Sequence, residues 1–184
     1  MNEPLKSVRL RSPEPEDIDT RLTFKASAEI LRMYGHLTDT PTATTREQAE
    51  QWFKQLSAHP NAWVIEKDGH LVGEIRLDNL NAVDRRARLA IGLFGQELLG
   101  RGIGRTAITL VLRHAFGALA LHRVDLRVLA YNHRAIRCYE ACGFTREGVE
   151  RESALVGDTW YDDWIMSILE QEFNQSQSGG SVPC

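Results

Sequence analysis

At 184 residues the chain has the length of a single domain, and 42% hydrophobic with 26% charged residues lies in the ordinary globular range. A net charge of -3 gives no general attraction to nucleic acid or to an anionic lipid surface, so any phosphate binding has to be local. The opening MNEPLKSVRLRS lacks a signal-peptide core, no apolar run approaches the roughly 18 residues of a membrane span, and Cys138, Cys142 and Cys184 lack the neighbouring His of a metal set. These features predict a soluble cytoplasmic protein with reduced thiols, no metal site, and no nucleic-acid or membrane partner.

Residues 6–11, KSVRLR, alternate polar and apolar and predict a strand, after which Ser12 caps a helix over about residues 14–33. The Thr-rich GHLTDTPTATT reads as a mobile loop, and Thr45, with Glu47 and Gln48 behind it, starts a second helix through REQAEQWFKQLS. AWVIEK and HLVGEIRLD are strands joined by the hairpin turn KDG, where Gly69 takes the positive dihedral angle; ARLAIGLF completes an antiparallel meander. Downstream of ELLGRGIGRTA, the residues Ile103, Ala107, Ile108, Val111, Leu112 and Ala115 recur at helical spacing and predict one buried face. HRVDLRVLA is a further strand, NHRAIRCYEACGF a helix that stops at Gly143, and TREGVERESALV and TWYDDWIMSIL are closing strands. The sum is an α+β domain with α/β-like crossovers, a mixed sheet covered by helices on both faces, spanning residues 1–172 with a flexible polar tail over 173–184.

The glycines of ELLGRGIGRTA invite a phosphate. Gly95 and Gly100 have the spacing of a P-loop, but Arg101 and Gly102 stand where Lys and Ser or Thr belong, so the side chains that grip outer phosphates and magnesium are missing. A dinucleotide fingerprint fails too, because Gly100, Gly102 and Gly104 alternate and follow an antiparallel meander. Two readings stay level on the glycines alone: a main-chain cradle for a diphosphate at a helix N-terminus, or a plain bend from strand to helix. A second segment, Asn132 to Phe144, places Asn132, Ala135 or Ile136, and Tyr139 on one helical face, although a tyrosine at such a position also serves as an ordinary core residue.

Together the two segments resemble the GNAT superfamily of acetyl-CoA-dependent N-acetyltransferases, in the branch with ribosomal-protein N-terminal, polyamine and antibiotic acetyltransferases; the resemblance covers about residues 6–170. It implies a mixed, mostly antiparallel seven-stranded sheet flanked by about four helices. It implies that Leu99, Gly100, Arg101, Gly102, Ile103 and Gly104 cradle the coenzyme pyrophosphate, with Leu99 departing from the usual Arg or Gln. Gly92, Leu93 and Phe94 would end a splayed strand that pairs with the pantetheine arm and points donors at the thioester. Asn132 and Ala135 would line that arm, and Tyr139 would stand beside sulfur as general acid.

Transfer of acetyl to an amine also needs a proton acceptor. Val72, Glu74, Arg76 and Asp78 share a strand face by period two, which makes Glu74 a candidate base or simply half of an exposed ion pair. His36 and His133 read as solvated. Asp158, Asp162 and Asp163 either attract a cationic acceptor or are ordinary strand charges. The sequence thus predicts an enzyme with acetyl-CoA as co-substrate and a small-molecule or peptide amine as acceptor, in a family where homodimers are common. A non-catalytic acetyl-CoA sensor is the alternative.

Overall fold

The computed structural model describes residues 8–25, 27–37 and 43–178. The elements run β1 (Val8–Arg11), α1 (Asp17–Thr23), α2 (Ala28–Met33), α3 (Arg46–Ala58), β2 (Ala62–Lys67), β3 (His70–Asn81), β4 (Arg86–Leu93), a 3-10 turn (Gln96–Leu98) and α4 (Ile103–Phe116). They continue with β5 (Arg123–Leu129), α5 (His133–Ala141), β6 (Thr145–Val156), β7 (Thr159–Leu169) and α6 (Glu170–Ser178). The seven strands form one sheet in the order β1-β2-β3-β4-β5-β7-β6. Every neighbouring pair is antiparallel except β4 with β5.

Helices cover both faces. On β2, consecutive Val64 and Ile65 point to opposite sides and both are fully buried, Ile65 in the main core with α4 and Val64 in a smaller cluster with Leu56, Phe94, Phe24 and Trp52. The stripe expected on α4, from Ile103 to Ala115, is buried along its whole length in the main core. Thr45 forms the capping box of α3, its hydroxyl accepting from Gln48 N while the Gln48 side chain accepts from Thr45 N.

The described residues form six helices rather than about four, for two reasons. The helix expected over 14–33 breaks after Thr23, because Phe24 turns extended and sets its ring 5.5 Å from that of Phe94, and Ser27 then caps α2 by accepting from Ile30 N. Ser12 does not cap α1. Asp17 takes over the start, accepting from Glu14 N and pairing with Arg11 at 2.7 Å. At the other end α6 runs past residue 173, where the tail was expected to begin, since Phe173 is buried with its ring 5.5 Å from Phe116. Residues 38–42 of the Thr-rich loop and 179–184 of the expected tail, with Cys184, lie outside the described residues.

The feature that makes a site is the short contact between β4 and β5. They pair only as Arg86 with Arg123, Ala87 with Val124 and Arg88 with Asp125, and the last pair is tied by a 2.7 Å ion pair onto the buried Asp125 carboxylate. Beyond it β4 stays with β3 as far as Leu93, and β5 stays with β7 as far as Leu129. The sheet is split from there on. If α6 is part of the core, Phe173→Ala should lower the unfolding free energy by about 3 kcal/mol, read as a fall in the urea midpoint with unchanged slope; a tail residue would leave the midpoint where it was.

Candidate active site

The split opens a cleft of about 860 Å³, with β4 on one wall and the end of β5 on the other. Phe94 N–H donates to Val72 O at 3.0 Å, so by strand alternation the amides of Gly92 and Ala90 also face β3, and those of Leu93 and Ile91, beyond the last pair with β5, face the cleft. A buried strand edge of this kind offers unpaired donors and acceptors to an extended ligand that carries amides. Of the Gly92, Leu93 and Phe94 amides expected at the thioester, only that of Leu93 is turned toward the cleft; those of Gly92 and Phe94 are committed to the sheet.

At one end of the cleft lies the glycine turn. Gly100 and Gly102 adopt φ of 72° and 77°, a left-handed backbone that other residues resist, and Gly102 is the N-cap of α4 with no side-chain cap. The first helical bond is Thr106 N–H to Gly102 O, which leaves the amides of Ile103, Gly104 and Arg105 at an uncapped positive helix end. Leu99, Gly100, Gly102, Ile103 and Gly104 all line the cleft, whereas Arg101 is exposed and outside it. Two cations that sequence reading did not single out stand there instead: Arg105 and Arg137 line the cleft, and neither has a carboxylate partner among the described residues. An uncapped amide turn with two uncommitted guanidinium groups fits a polyanionic tail such as the phosphates of coenzyme A.

Asn132 is the N-cap of α5, its side-chain oxygen accepting from Ala135 N at 3.1 Å, so it faces the cleft as a fixed amide rather than as a residue within the helix. Ala135 also lines the cleft, while Ile136 belongs to the core. Tyr139 lines it with its ring centroid 5.9 Å from that of Phe144. Burial pushes its phenol above the usual tyrosine range, and nearby Cys138 and Tyr34 push in the same direction. It therefore stays protonated well past neutrality.

The far end holds Glu74, Arg76 and Asp78 on one face of β3, as the period-two pattern predicts, although Val72 is buried in the core. Glu74 is ion-paired, and inside the cleft rather than exposed: Oε1 accepts from Arg76 at 3.0 Å and Oε2 accepts from the Trp52 indole N–H. With both oxygens engaged it is placed to attract and orient an amine more than to remove its proton unaided. Of the three C-terminal aspartates only Asp163 reaches the cleft. His36 and His133 are exposed and outside the lining, as expected.

Sequence reading missed Tyr34 and Trp52. Tyr34 follows α2, and a Cβ added at Gly92 would sit 2.5 Å from its hydroxyl, so Gly92 is what lets that phenol reach the end of β4. Burial and then Glu74 push its pKa up to about 12. Trp52 shares the inward face of α3 with buried Ala49 and Leu56, so helical spacing signals its direction though not its bond to Glu74.

The family model described as Acetyltransferase (GNAT) domain matches residues 7–145. The chain belongs to the GNAT acetyltransferases. A spermidine N(1)-acetyltransferase of Vibrio cholerae is 33% identical over 124 residues, covering 65% of this chain and 71% of that protein. The Escherichia coli K12 spermidine N(1)-acetyltransferase is 26% identical over 168 residues, covering 91% and 88%. A crystal structure of the Vibrio cholerae spermidine N-acetyltransferase in complex with CoA and spermine matches with a TM-score of 0.75 at 25% identity, over 91% of this chain and 98% of that one. As a GNAT enzyme this chain is an acetyl-CoA-dependent amine N-acetyltransferase, with acetyl-CoA as co-substrate.

Two variants test the coenzyme end of this GNAT site by calorimetry. Gly102→Glu puts a carboxylate and a strained φ at the cradle and should abolish measurable acetyl-CoA binding while circular dichroism still reports a folded chain. Arg105→Ala with Arg137→Ala should weaken binding about tenfold at low salt and less at high salt, as expected for solvent-facing charge pairs; unchanged affinity would remove these arginines from the site.

Proposed function

We propose that the chain transfers acetyl from acetyl-CoA to a primary amine, on a small molecule or a protein N-terminus, by direct attack in a ternary complex. Bound acetyl-CoA supplies the activated thioester. The observation that carries the reading is the edge of β4 that has no strand partner, whose Leu93 N–H, reached by the Tyr34 hydroxyl, faces a cleft that Tyr139 also lines. Leu93 N–H donates to the thioester oxygen as negative charge gathers there. Tyr139 O–H gives its proton to sulfur as the carbon–sulfur bond breaks and the carbon–nitrogen bond forms. A free thiol has a pKa of about 8.5 and a phenol about 10, and burial raises the phenol further, so Tyr139 holds its proton until the departing thiolate takes it. Glu74 orients the amine, and its surplus proton leaves through water. That proton replaces the one Tyr139 lost.

Proton donation by a phenol operates below the phenol pKa, so raising that pKa extends activity toward alkaline pH. Turnover of the wild type should therefore stay level from about pH 8 to about pH 10, where an ordinary tyrosine would begin to ionise. Tyr139→Phe should reduce kcat about a hundredfold with little change in acetyl-CoA affinity, followed by release of free thiol in the presence of an amine panel. Full turnover in the Phe variant would remove Tyr139 from the chemistry, and binding without thiol release from the wild type would favour a sensor. The same reading carries a cytoplasmic location, and a homodimer supported by the family resemblance; sedimentation velocity on the purified chain checks the dimer.

A further inference from the structure

The acceptor half of the cleft is bounded by α1, α2, α3, the outer part of β3 and the ends of β4, β5 and β7, and its charged side chains can be followed one by one. Arg76 hydrogen-bonds both Glu74 and Asp78 at 3.0 Å, and His59 reaches Asp78 at 3.2 Å. Arg88 pairs with Asp125 at 2.7 Å, and Arg127 with Glu150 at 2.9 Å. Asp163, on the far wall, accepts from Ser153 Oγ. Arg21 differs from the other guanidinium groups here, having no carboxylate within ion-pair distance among the described residues. It donates one long bond, 3.3 Å, to the Thr44 hydroxyl, and its Nε is enclosed without an acceptor.

Its position is as informative as its lack of a partner. The guanidinium lies 4.2 Å from the centroid of Phe94, the residue that follows Leu93 at the end of β4, and lines the cleft. It lines the same cleft as Glu74 and Tyr34, and both act on it electrostatically without a hydrogen bond. A planar guanidinium presents a rigid fork of N–H donors, the geometry that matches a carboxylate. Enclosed and unpaired, it bears a desolvation cost that an anionic ligand oxygen would relieve.

We infer that Arg21 recognises a carboxylate on the acceptor, so that this site selects amines joined to an acidic group by a short carbon chain, the chemistry of free amino acids. Glu74 then faces the amino end and Arg21 the carboxylate end of one small zwitterion. A polycation such as spermidine brings further positive charge toward Arg21 and gains nothing from it, so the acceptor of the spermidine N(1)-acetyltransferases does not carry over to this chain. The inference rests on the transferase reading above and is tested separately from it.

The test uses matched acceptors, β-alanine and 4-aminobutyrate against their primary amides, with spermidine beside them. Wild type should favour each carboxylate over its amide by about tenfold in kcat/KM, and Arg21→Gln should collapse that ratio toward one through a higher KM for the carboxylates. Arg21→Lys should keep part of the ratio, because it restores charge without the fork. A wild type that prefers the amides or spermidine, or an Arg21→Gln variant that lowers both members of a pair alike, overturns the inference. Calorimetry of the same pairs on coenzyme A-saturated protein reads the preference as Kd. Tight carboxylate binding without turnover defeats the transferase reading alone, and equal Kd values within each pair defeat the role of Arg21 alone.

Discussion

Everything at this site depends on two parallel strands that part company after three residue pairs. In a sheet, strands covered on both faces normally satisfy their backbone groups on both edges, because an unpaired buried amide is costly. Here β4 and β5 share only Arg86 to Arg88 and Arg123 to Asp125, and the Arg88 ion pair with buried Asp125 holds the point at which they separate. Each strand keeps its outer neighbour, so the sheet does not fall apart; it acquires a wedge. The wedge turns the Ile91 and Leu93 amides toward the cleft rather than toward a strand.

The two crossover segments work because they flank that wedge. The glycine turn delivers the N-terminus of α4 to one end, and Asn132, capping α5, brings Ala135 and Tyr139 to face β4. On the acceptor side α2 is fastened across the opening. Glu29 accepts from Gln96 at 2.7 Å and from Arg134 at 2.8 Å, and Tyr131 O–H donates to Arg32 O at 2.6 Å. These bonds tie the helix to both walls at once, which is how Tyr34 comes to rest against Gly92.

Charge divides the cleft along its length. Uncommitted Arg105 and Arg137 stand near the helix end, and Glu74 with its Arg76 and Trp52 partners stands near the amine end. Most guanidinium groups in the amine half are matched by carboxylates; Arg21 is held by an aromatic ring instead. A net charge of -3 says nothing of this arrangement, since it averages over pairs that the fold assembles from distant segments.

Much of the fold was legible because its signals are local: period two in AWVIEK and ARLAIGLF, period 3.6 in the α4 stripe, the capping box at Thr45, and glycines where the chain must turn with positive φ. The two segments that flank the cleft were legible for the same reason, since each is short and contiguous. The break of the first helix at Phe24 was not, because it depends on a ring contact with Phe94, seventy residues away in sequence. Nor were α6, Tyr34, Trp52 and Arg21, whose places follow from Phe116, Gly92, Glu74 and Phe94. The sequence by itself determined the strands, the buried helix face and the glycine turn that starts α4, because propensity and spacing act between near neighbours. Only the tertiary structure decided which amide of β4 faces the cleft, which carboxylates are already paired and which arginine is not, because those are settled by contacts between residues that the chain alone keeps far apart.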